Sequence, residues 1–290
     1  MFFLIDKPIG MSSFEALKKI RKTLGIKKIG HGGTLDPLAT GCMIIATEKS
    51  TKLLSLLDHA SKEYIFTVKL DGKSDSLDWG TPIKKEEYRR NNKTWEELEE
   101  YILSQKEQIP PNYSALHIDG VRAYTLARAG KEFEIKKRPI EVLSIKVVSE
   151  SESEITLHIH LSSGGYVRSF APIIGEFLWS KWGYISSLRR TSIHTQYGSW
   201  WEKDMSSLDS PKEKEYKHIF SAIPQKEISK EIYEQLILGK RIETTWEKIE
   251  EGSFVFFNFK NQYMSLVQYT KNIFTIIRND VLLVSGFVCL

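Results

Sequence analysis

The sequence has little cysteine and no long apolar run. Its 290 residues include two cysteines, Cys42 and Cys289, which form neither a disulfide framework nor a metal cluster and suit a reducing compartment. The apolar N-terminal run is cut short by Asp6, Lys7 and Pro8, and no stretch reaches the roughly 20 residues that a membrane helix requires. We therefore expect a cytoplasmic protein with no signal peptide and no membrane span.

Internal repeats, low-complexity tracts and heptads are also missing from the sequence, so it predicts neither a fibre nor a disordered chain. The excess of positive charge is small, with 41 Lys and Arg against 37 Asp and Glu, a net charge of +4. Such an excess permits an anionic partner without requiring one. A chain of this length can bury one large core, or one large and one small core, which indicates one or two domains.

A helix is predicted to begin near residue 12, because Ser12 and Glu15 form a capping-box pattern. Apolar residues then recur at helical spacing, and Gly25 is a plausible stop. The predicted apolar face consists of Phe14, Leu17, Ile20 and Leu24. Residues 18–28 carry several lysines and arginines and no acidic residue. This basic face fits either a solvated helix surface or a contact with RNA.

The remaining pattern is typical of an α+β protein with a mixed, mainly antiparallel sheet. Residues 64–70 alternate as in a half-buried strand, and residues 142–148 and 155–161 form a predicted hairpin. From about Pro224 onward the sequence changes to short apolar runs separated by polar turns, the last of them a predicted strand at 281–288, which indicates a small β-rich module. We predict a main domain over 1–225, with an insert around 84–140, and a second domain over 226–290.

The most conspicuous motif is GHGGTLDPLATG, residues 30–41. Its glycines allow close approach to the backbone, and Pro37 biases Asp36 toward an extended conformation, so the loop presents one carboxylate rigidly. From residue type alone, an Asx turn is the favoured interpretation. The Walker spacing of a phosphate loop is missing. No second His or Cys accompanies His31 at ligand spacing, so no metal site is predicted.

This motif resembles the signature of the TruB family of pseudouridine synthases. Five further segments also resemble segments of this family and occur in the family's order: LIDKPIGMSS, KEYIFTVKLDGKSDSLDWG, IPPNYSALHIDGVRAYTLARAG, SSGGYVRS and SLRRTSI. The resemblance implies a pseudouridine synthase catalytic domain that isomerises uridine 55 in the T-loop of tRNA without cofactor or metal. It also implies that the target base is flipped out of the loop stack before its glycosidic bond is reached.

The family's catalytic residues fall on three positions of this sequence. Asp36 corresponds to the nucleophile, Tyr64 to a tyrosine that stacks on the uracil and can accept the C5 proton, and Arg168 to an arginine that pairs with Asp36. Without the resemblance, Tyr64 is better interpreted as a core residue and Arg168 as a surface cation. The predicted substrate and RNA contacts are His31, Tyr166, Lys7, Gly32, Leu188 and Arg189, with Lys7, Arg189 and Arg190 binding phosphate or serving a structural role.

The expected partner is the T-stem-loop of tRNA, and the expected state is a monomer with no membrane contact and no protein partner. Two alternatives remain. One is a non-catalytic RNA-binding or tRNA-folding protein, which the combination of Asp36, Tyr64 and Arg168 argues against. The other is a guide-RNA-dependent synthase of the dyskerin type, which is disfavoured because the sequence starts almost at the DKP motif, without a long basic extension. The C-terminal module resembles the family's PUA domain only in position and β content.

Overall fold

The structure is a computed structural model that describes residues 1–85, 91–179, 183–214, 219–243, 249–250, 252–260, 263–271 and 273–278. Its strands are β1 (Phe2–Lys7), β2 (Ile29–His31), β3 (Thr40–Thr47), β4 (Ser61–Lys69), β5 (Gly72–Lys73), β6 (Lys84–Lys85), β7 (Glu107–Gln108), β8 (His117–Ile118), β9 (Val121–Arg122), β10 (Arg138–Pro139), β11 (Val142–Glu150), β12 (Glu154–Leu161), β13 (Tyr184–Thr195), β14 (Gly198–Trp201), β15 (Glu213–Lys214), β16 (Gln225–Glu227), β17 (Ile242–Glu243), β18 (Phe254–Phe259), β19 (Tyr263–Thr270) and β20 (Ile273–Arg278). The α-helices are α1 (Ser13–Leu24), α2 (Trp95–Leu103), α3 (Ala123–Arg128), α4 (Phe170–Trp179) and α5 (Lys230–Ile237), and 3₁₀ helices cover Glu48–Leu57, Val167–Ser169 and Glu202–Asp204.

Helix α1 begins and ends where the sequence predicts. Ser12 and Glu15 form the capping box, and Gly25 ends the helix in the left-handed conformation with φ +63°. Its buried face includes Leu17 and Ile20. The predicted place of Phe14 on that face is wrong, because this side chain is 63% exposed and lies under the ammonium of Lys18. At the first turn, Ser13 and Ala16 fill the buried side instead.

A nine-stranded sheet forms the centre of the protein. Its main path runs β11–β12–β4–β13–β3–β1–β15, with β14 paired to β13 and β2 paired to β3. Strands β13 and β3 are parallel, whereas the other pairings along this path are antiparallel. The predicted hairpin is β11–β12. The prediction of an α+β fold with a mixed, mainly antiparallel sheet is therefore confirmed.

The two faces of β4 have different surroundings. Tyr64, Phe66 and Val68 point into a large core that also contains residues of α2 and α4. Ile65, between them in sequence, is 38% exposed on the opposite face. This alternation follows from the two-residue repeat of a strand. It places Tyr64 against the core and the odd-numbered residues of β4 on the other side of the sheet.

A second sheet follows near the C-terminus, with the order β16–β18–β19–β20–β17. It shares an apolar cluster with α5 and also packs on the central sheet, where Phe256, Met264 and Leu266 join a core that contains Phe2 and Ile44. The predicted strand at 281–288 lies outside the described residues. Within the described residues, no helix combines the length and the apolar composition needed to cross a membrane.

Candidate active site

The loop that carries Asp36 connects β2 to β3 and is held at several points. The Ser13 hydroxyl accepts a hydrogen bond from the Leu35 amide and donates one to the Leu35 carbonyl. The Pro37 carbonyl accepts from the Gly10 amide, at 2.9 Å, and from the Lys7 ammonium, at 3.3 Å. These contacts bracket Asp36 on both sides. The predicted rigidity of the loop thus has a specific physical source beyond proline.

Contacts inside the protein leave little room for a side chain at two of the loop glycines. Gly41 has φ +103°, and a side chain there would collide with the backbone carbonyl of Arg190. A side chain on Gly32 would collide with Leu57. Gly33 differs, because it has φ +119° and lines the cavity described below. Close approach explains these glycines as predicted, but at Gly32 and Gly41 the approaching group belongs to this chain.

Arg168 lies beside Asp36, as predicted. Its Nε is 2.8 Å from Asp36 Oδ2, an ion pair in which the N–H is not aligned as a hydrogen bond. The guanidinium is nearly buried and donates to the carbonyls of Ser76, at 2.9 Å, and Tyr113, at 3.0 Å. These two hydrogen bonds fix the orientation of the Arg168 guanidinium. The carboxylate of Asp36 is one-third exposed, so it remains open to a substrate.

Asp78 is a second carboxylate at this arginine, and sequence reasoning missed it. Its Oδ2 lies 3.7 Å from Arg168 Nη1, while Oδ1 accepts hydrogen bonds from the Ser76 hydroxyl, at 2.6 Å, and the Gly80 amide, at 2.9 Å. Asp78 thus stabilises the buried guanidinium from the side away from solvent. The segment DGKSDSLDWG contains three aspartates, and the sequence alone does not show which of them faces inward.

A cavity of about 270 Å³ opens beside Asp36. Five of the predicted site residues line it, namely Asp36, Tyr64, Tyr166, Arg168 and Leu188. Lys62, Arg138 and Arg190 also line it. Of these three cations, only Arg190 was named from the sequence, as a phosphate-binding or structural residue. The cavity combines one accessible carboxylate, two tyrosines and a cationic wall. Such a site suits a flat, polar, anionic ligand.

Burial controls the ionisation of the groups around Tyr64. It raises the pKa of the Tyr64 phenol, against the opposing effect of Arg190, so the phenol is protonated at neutral pH. It also lowers the pKa of Lys62 to about 8, with repulsion from Arg190 adding to the effect. The Tyr166 phenol likewise has a raised pKa, chiefly from burial. Tyr166 is fixed by its amide, which donates to Gln108 Oε1 at 2.6 Å.

The other predicted contacts lie away from the cavity lining. Lys7 is fully buried and donates to the carbonyls of Pro8, Met11 and Pro37, so its position supports the structural role and leaves no room for a phosphate. Arg189 forms a two-pronged ion pair with Asp6, at 3.0 and 2.9 Å, and a third contact with Glu202. A structural role therefore fits both cations better than a direct RNA contact.

His31 and Gly32 likewise do not line the cavity. His31 pairs with Ile45 on β3, and burial together with Arg190 lowers the pKa of its imidazole. Gly32 packs against Leu57. Arg190, the neighbour of Arg189, is the residue that reaches the site: its guanidinium donates to the carbonyls of Cys42, Thr34 and Gly33. Arg190 therefore joins the loop that carries Asp36 to β13 through hydrogen bonds.

The chain is similar in sequence to one family of known proteins. The family model described as TruB family pseudouridylate synthase (N terminal domain) matches residues 21–167. The chain is 38% identical to the tRNA pseudouridine synthase B of Ehrlichia ruminantium (strain Gardel) over 211 residues, which cover 72% of this chain and 70% of that protein. It is 34% identical to the tRNA pseudouridine synthase B of Rickettsia felis (strain ATCC VR-1525 / URRWXCal2) over 270 residues, covering 91% and 77%.

Among solved structures, the fold resembles a chain from a H/ACA ribonucleoprotein bound to a substrate RNA containing 2'-deoxyuridine. The TM-score is 0.64 at 18% identity, and the match covers 96% of this chain and 84% of that chain. At this identity the likeness supports the fold alone. The family model and the two relatives lead to one conclusion: the chain belongs to the TruB family of pseudouridylate synthases.

Proposed function

We propose that this protein converts uridine to pseudouridine at position 55 in the T-loop of tRNA, with Asp36 as the nucleophile. The observation that carries the proposal is the one-third exposed Asp36 carboxylate, held 2.8 Å from Arg168 at a cavity that Tyr64 also lines. Relatives that cover most of this chain are named tRNA pseudouridine synthase B.

The cavity would receive a base that has left the loop stack, because a glycosidic bond inside a stacked loop cannot be reached. Tyr64 offers a buried aromatic face, and Leu188 and Val167 offer apolar contact. Lys62, Arg138 and Arg190 supply positive charge toward the phosphates that flank the flipped nucleotide.

In the isomerisation the bond between ribose C1' and uracil N1 breaks, the base turns, and a bond between C1' and C5 forms. The hydrogen on C5 leaves as a proton, and N1 gains one, so the atoms balance. Asp36 can attack the ribose or the base, or assist formation of a transient glycal, and a carboxylate can depart afterwards. Because the Tyr64 phenol is protonated at rest, it can act first as a stacking surface and hydrogen-bond donor. Any role of Tyr64 as a base must follow loss of that proton.

Several elements outside the cavity would hold the RNA. In the segment predicted as an insert, the Tyr113 carbonyl accepts a hydrogen bond from Arg168, and Ala115 lines the cavity. This segment would therefore close over the T-arm. The basic face of α1 is exposed, and its first turn is bonded to the Asp36 loop. The second sheet would act as a PUA-like RNA-binding domain. We propose that the protein acts as a monomer, without a guide RNA or protein partner.

The decisive experiment uses the purified protein alone and an unmodified tRNA transcript labelled with tritium at uridine C5. Tritium release is expected, because C5 loses its hydrogen in the reaction. A transcript with cytidine at position 55 should release none. Asp36→Asn should abolish release, whereas Asp58→Asn, which changes an exposed aspartate outside the cavity, should not.

The same assay separates the alternatives. If the parent protein binds the transcript but releases no tritium, the non-catalytic RNA-binding alternative gains support. If tritium release requires an added guide RNA or protein, the dyskerin-type alternative gains support. An Asp36→Asn variant as active as the parent would remove Asp36 from its role.

A further inference from the structure

A second cluster of polar side chains lies on the face of the sheet opposite the cavity. Glu63, on β4, contacts His194 Nε2 at 2.7 Å through one carboxylate oxygen and His158 Nε2 at 2.9 Å through the other. His160 lies directly across from Glu63 on β12. One ligand atom from each of Glu63, His160 and His194 lies within 4.8 Å of the other two.

The sheet itself brings these residues together. Strand β4 lies between β12 and β13, so Glu63 has on each side a strand that carries histidines of the cluster. His158 and His160 are two residues apart and therefore share one face. On β13 the register shifts between Arg190 and Ser192, opposite Tyr64 and Glu63. This bulge lets Arg190 face the cavity while Ser192 and His194 face the other side.

The cluster has the ligand types and the support that a metal site needs. Glu63 and His194 are largely buried, with side-chain exposures of 15% and 17%. His194 Nδ1 is hydrogen-bonded to the Ser199 hydroxyl at 2.9 Å, and the His194 ring packs edge-on against Trp201. These contacts direct Nε2 toward Glu63, as outer partners orient metal-binding imidazoles. His160 Nε2 is hydrogen-bonded to the Ser61 hydroxyl at 2.8 Å, a contact that a bound ion would replace.

We propose that Glu63, His160 and His194 bind one divalent transition-metal ion of the zinc type, with His158 beside Glu63 as a fourth contact. A carboxylate with two or three imidazoles favours zinc and its neighbours over magnesium or calcium, which take oxygen ligands. Bonds of about 2 Å in a tetrahedral site place ligand atoms about 3.3 Å apart. The 2.7 Å contact between Glu63 and His194 must open slightly, and His160 must move inward.

Such an ion would tie together β12, β4 and β13 on the reverse side of the strands that carry Tyr64, Leu188 and Arg190. Its role is structural, because the ligands point away from the cavity. The histidine cluster is absent from the sequence prediction because its members lie on three strands, far apart along the chain. Their proximity follows from sheet order and from the bulge.

The test uses the full-length chain without a polyhistidine tag, stripped with a chelator. Calorimetry should show one zinc ion bound per chain, cobalt(II) should give the strong visible absorption of a four-coordinate site, and magnesium should not compete. His194→Gln and Glu63→Gln should each weaken zinc binding by at least about tenfold. His59→Gln removes an exposed histidine outside the cluster and should leave zinc binding unchanged.

Zinc should also raise the thermal midpoint of the parent and of His59→Gln, but not that of His194→Gln, since a ligand stabilises only the state that binds it. His160→Gln provides a second cluster variant if His194→Gln folds poorly, and circular dichroism reports folding for each. Parent binding no tighter than that of a folded cluster variant would overturn the proposal. So would a six-coordinate cobalt spectrum, which would leave the cluster as a network of hydrogen bonds around Glu63.

Discussion

The hydroxyl of Ser13 satisfies both backbone groups of Leu35. It accepts from the Leu35 amide at 2.8 Å and donates to the Leu35 carbonyl at 2.9 Å, and the side chain of Ser13 is buried. Ser13 is the first residue of α1, and Leu35 directly precedes Asp36. Through this one side chain, the helix holds the residue that precedes the proposed nucleophile.

Ser13→Ala should reduce the rate of pseudouridine formation more than tRNA affinity. It leaves a buried amide and carbonyl without their partner, which costs about 1–3 kcal/mol. The freed loop should misplace Asp36, and a displacement near 1 Å can lower a rate by about a hundredfold. Single-turnover tritium release, compared with filter binding of the same transcript, measures the two effects separately.

Ser12→Ala is the matched control for this variant. It removes the helix cap, at a cost of about 1 kcal/mol, but Ser12 makes no hydrogen bond to the Asp36 loop. Its single-turnover rate should stay near that of the parent. Equal rate losses in the two variants would mean that helix stability, and not the Leu35 contact, controls the loop.

Arg168→Lys should lower the single-turnover rate by about a hundredfold or more, although it keeps the charge. The guanidinium contacts Asp36 while it donates to two carbonyls, and a single ammonium cannot reproduce this geometry. Arg189→Lys is the neighbouring comparison, because Arg189 pairs with Asp6 and Glu202 outside the cavity. We expect Arg189→Lys to change the thermal midpoint and to leave the single-turnover rate intact. A rate loss in Arg189→Lys as large as that in Arg168→Lys would contradict this division.

Arg189 and its neighbour Arg190 show what the sequence could and could not predict. Helix α1 was predictable because its cap, its stop and most of its apolar face lie within 14 residues of one another. The fold class followed from strand alternation. The sequence could not show which of the two, Arg189 or Arg190, faces the cavity. That depends on the pairing of β13 with β4 and on the bulge after Arg190. Asp78 was missed for the same reason, since its partner Arg168 is distant in sequence.

The pKa of Lys62 predicts a pH dependence of RNA binding. Burial lowers this pKa to about 8, so the ammonium in the cavity is charged below pH 8 and neutral above it. T-stem-loop affinity should therefore fall between about pH 7 and about pH 9 at constant salt. Lys62→Arg, which stays charged, should bind with little change over the same range. A parent affinity that is flat across this range would show that the Lys62 charge does not contribute to RNA binding.

Stability should change in the opposite direction. The folded-state pKa of Lys62 lies below its unfolded value, so the unfolded chain binds more protons between about pH 8 and about pH 10.5. The contribution of Lys62 to the free energy of unfolding therefore rises with pH across this window. Urea unfolding of the parent and of Lys62→Met at matched pH values isolates this contribution. As pH rises, the free energy of unfolding of the parent should increase relative to that of Lys62→Met.

The basic face of α1 gives a prediction about salt. Lys18, Arg21 and Lys22 are exposed on a helix whose first turn is bonded to the Asp36 loop, whereas Lys19 is paired with Asp209 at 2.6 Å. If this face contacts phosphates, T-stem-loop affinity falls as salt rises, because bound RNA releases counterions. Lys22→Gln should weaken binding and reduce the slope of log affinity against log salt by about one. Lys19→Gln should change the slope less, because its charge is already compensated by Asp209. A slope that stays the same after replacing Lys18, Arg21 and Lys22 together would assign this face to solvent.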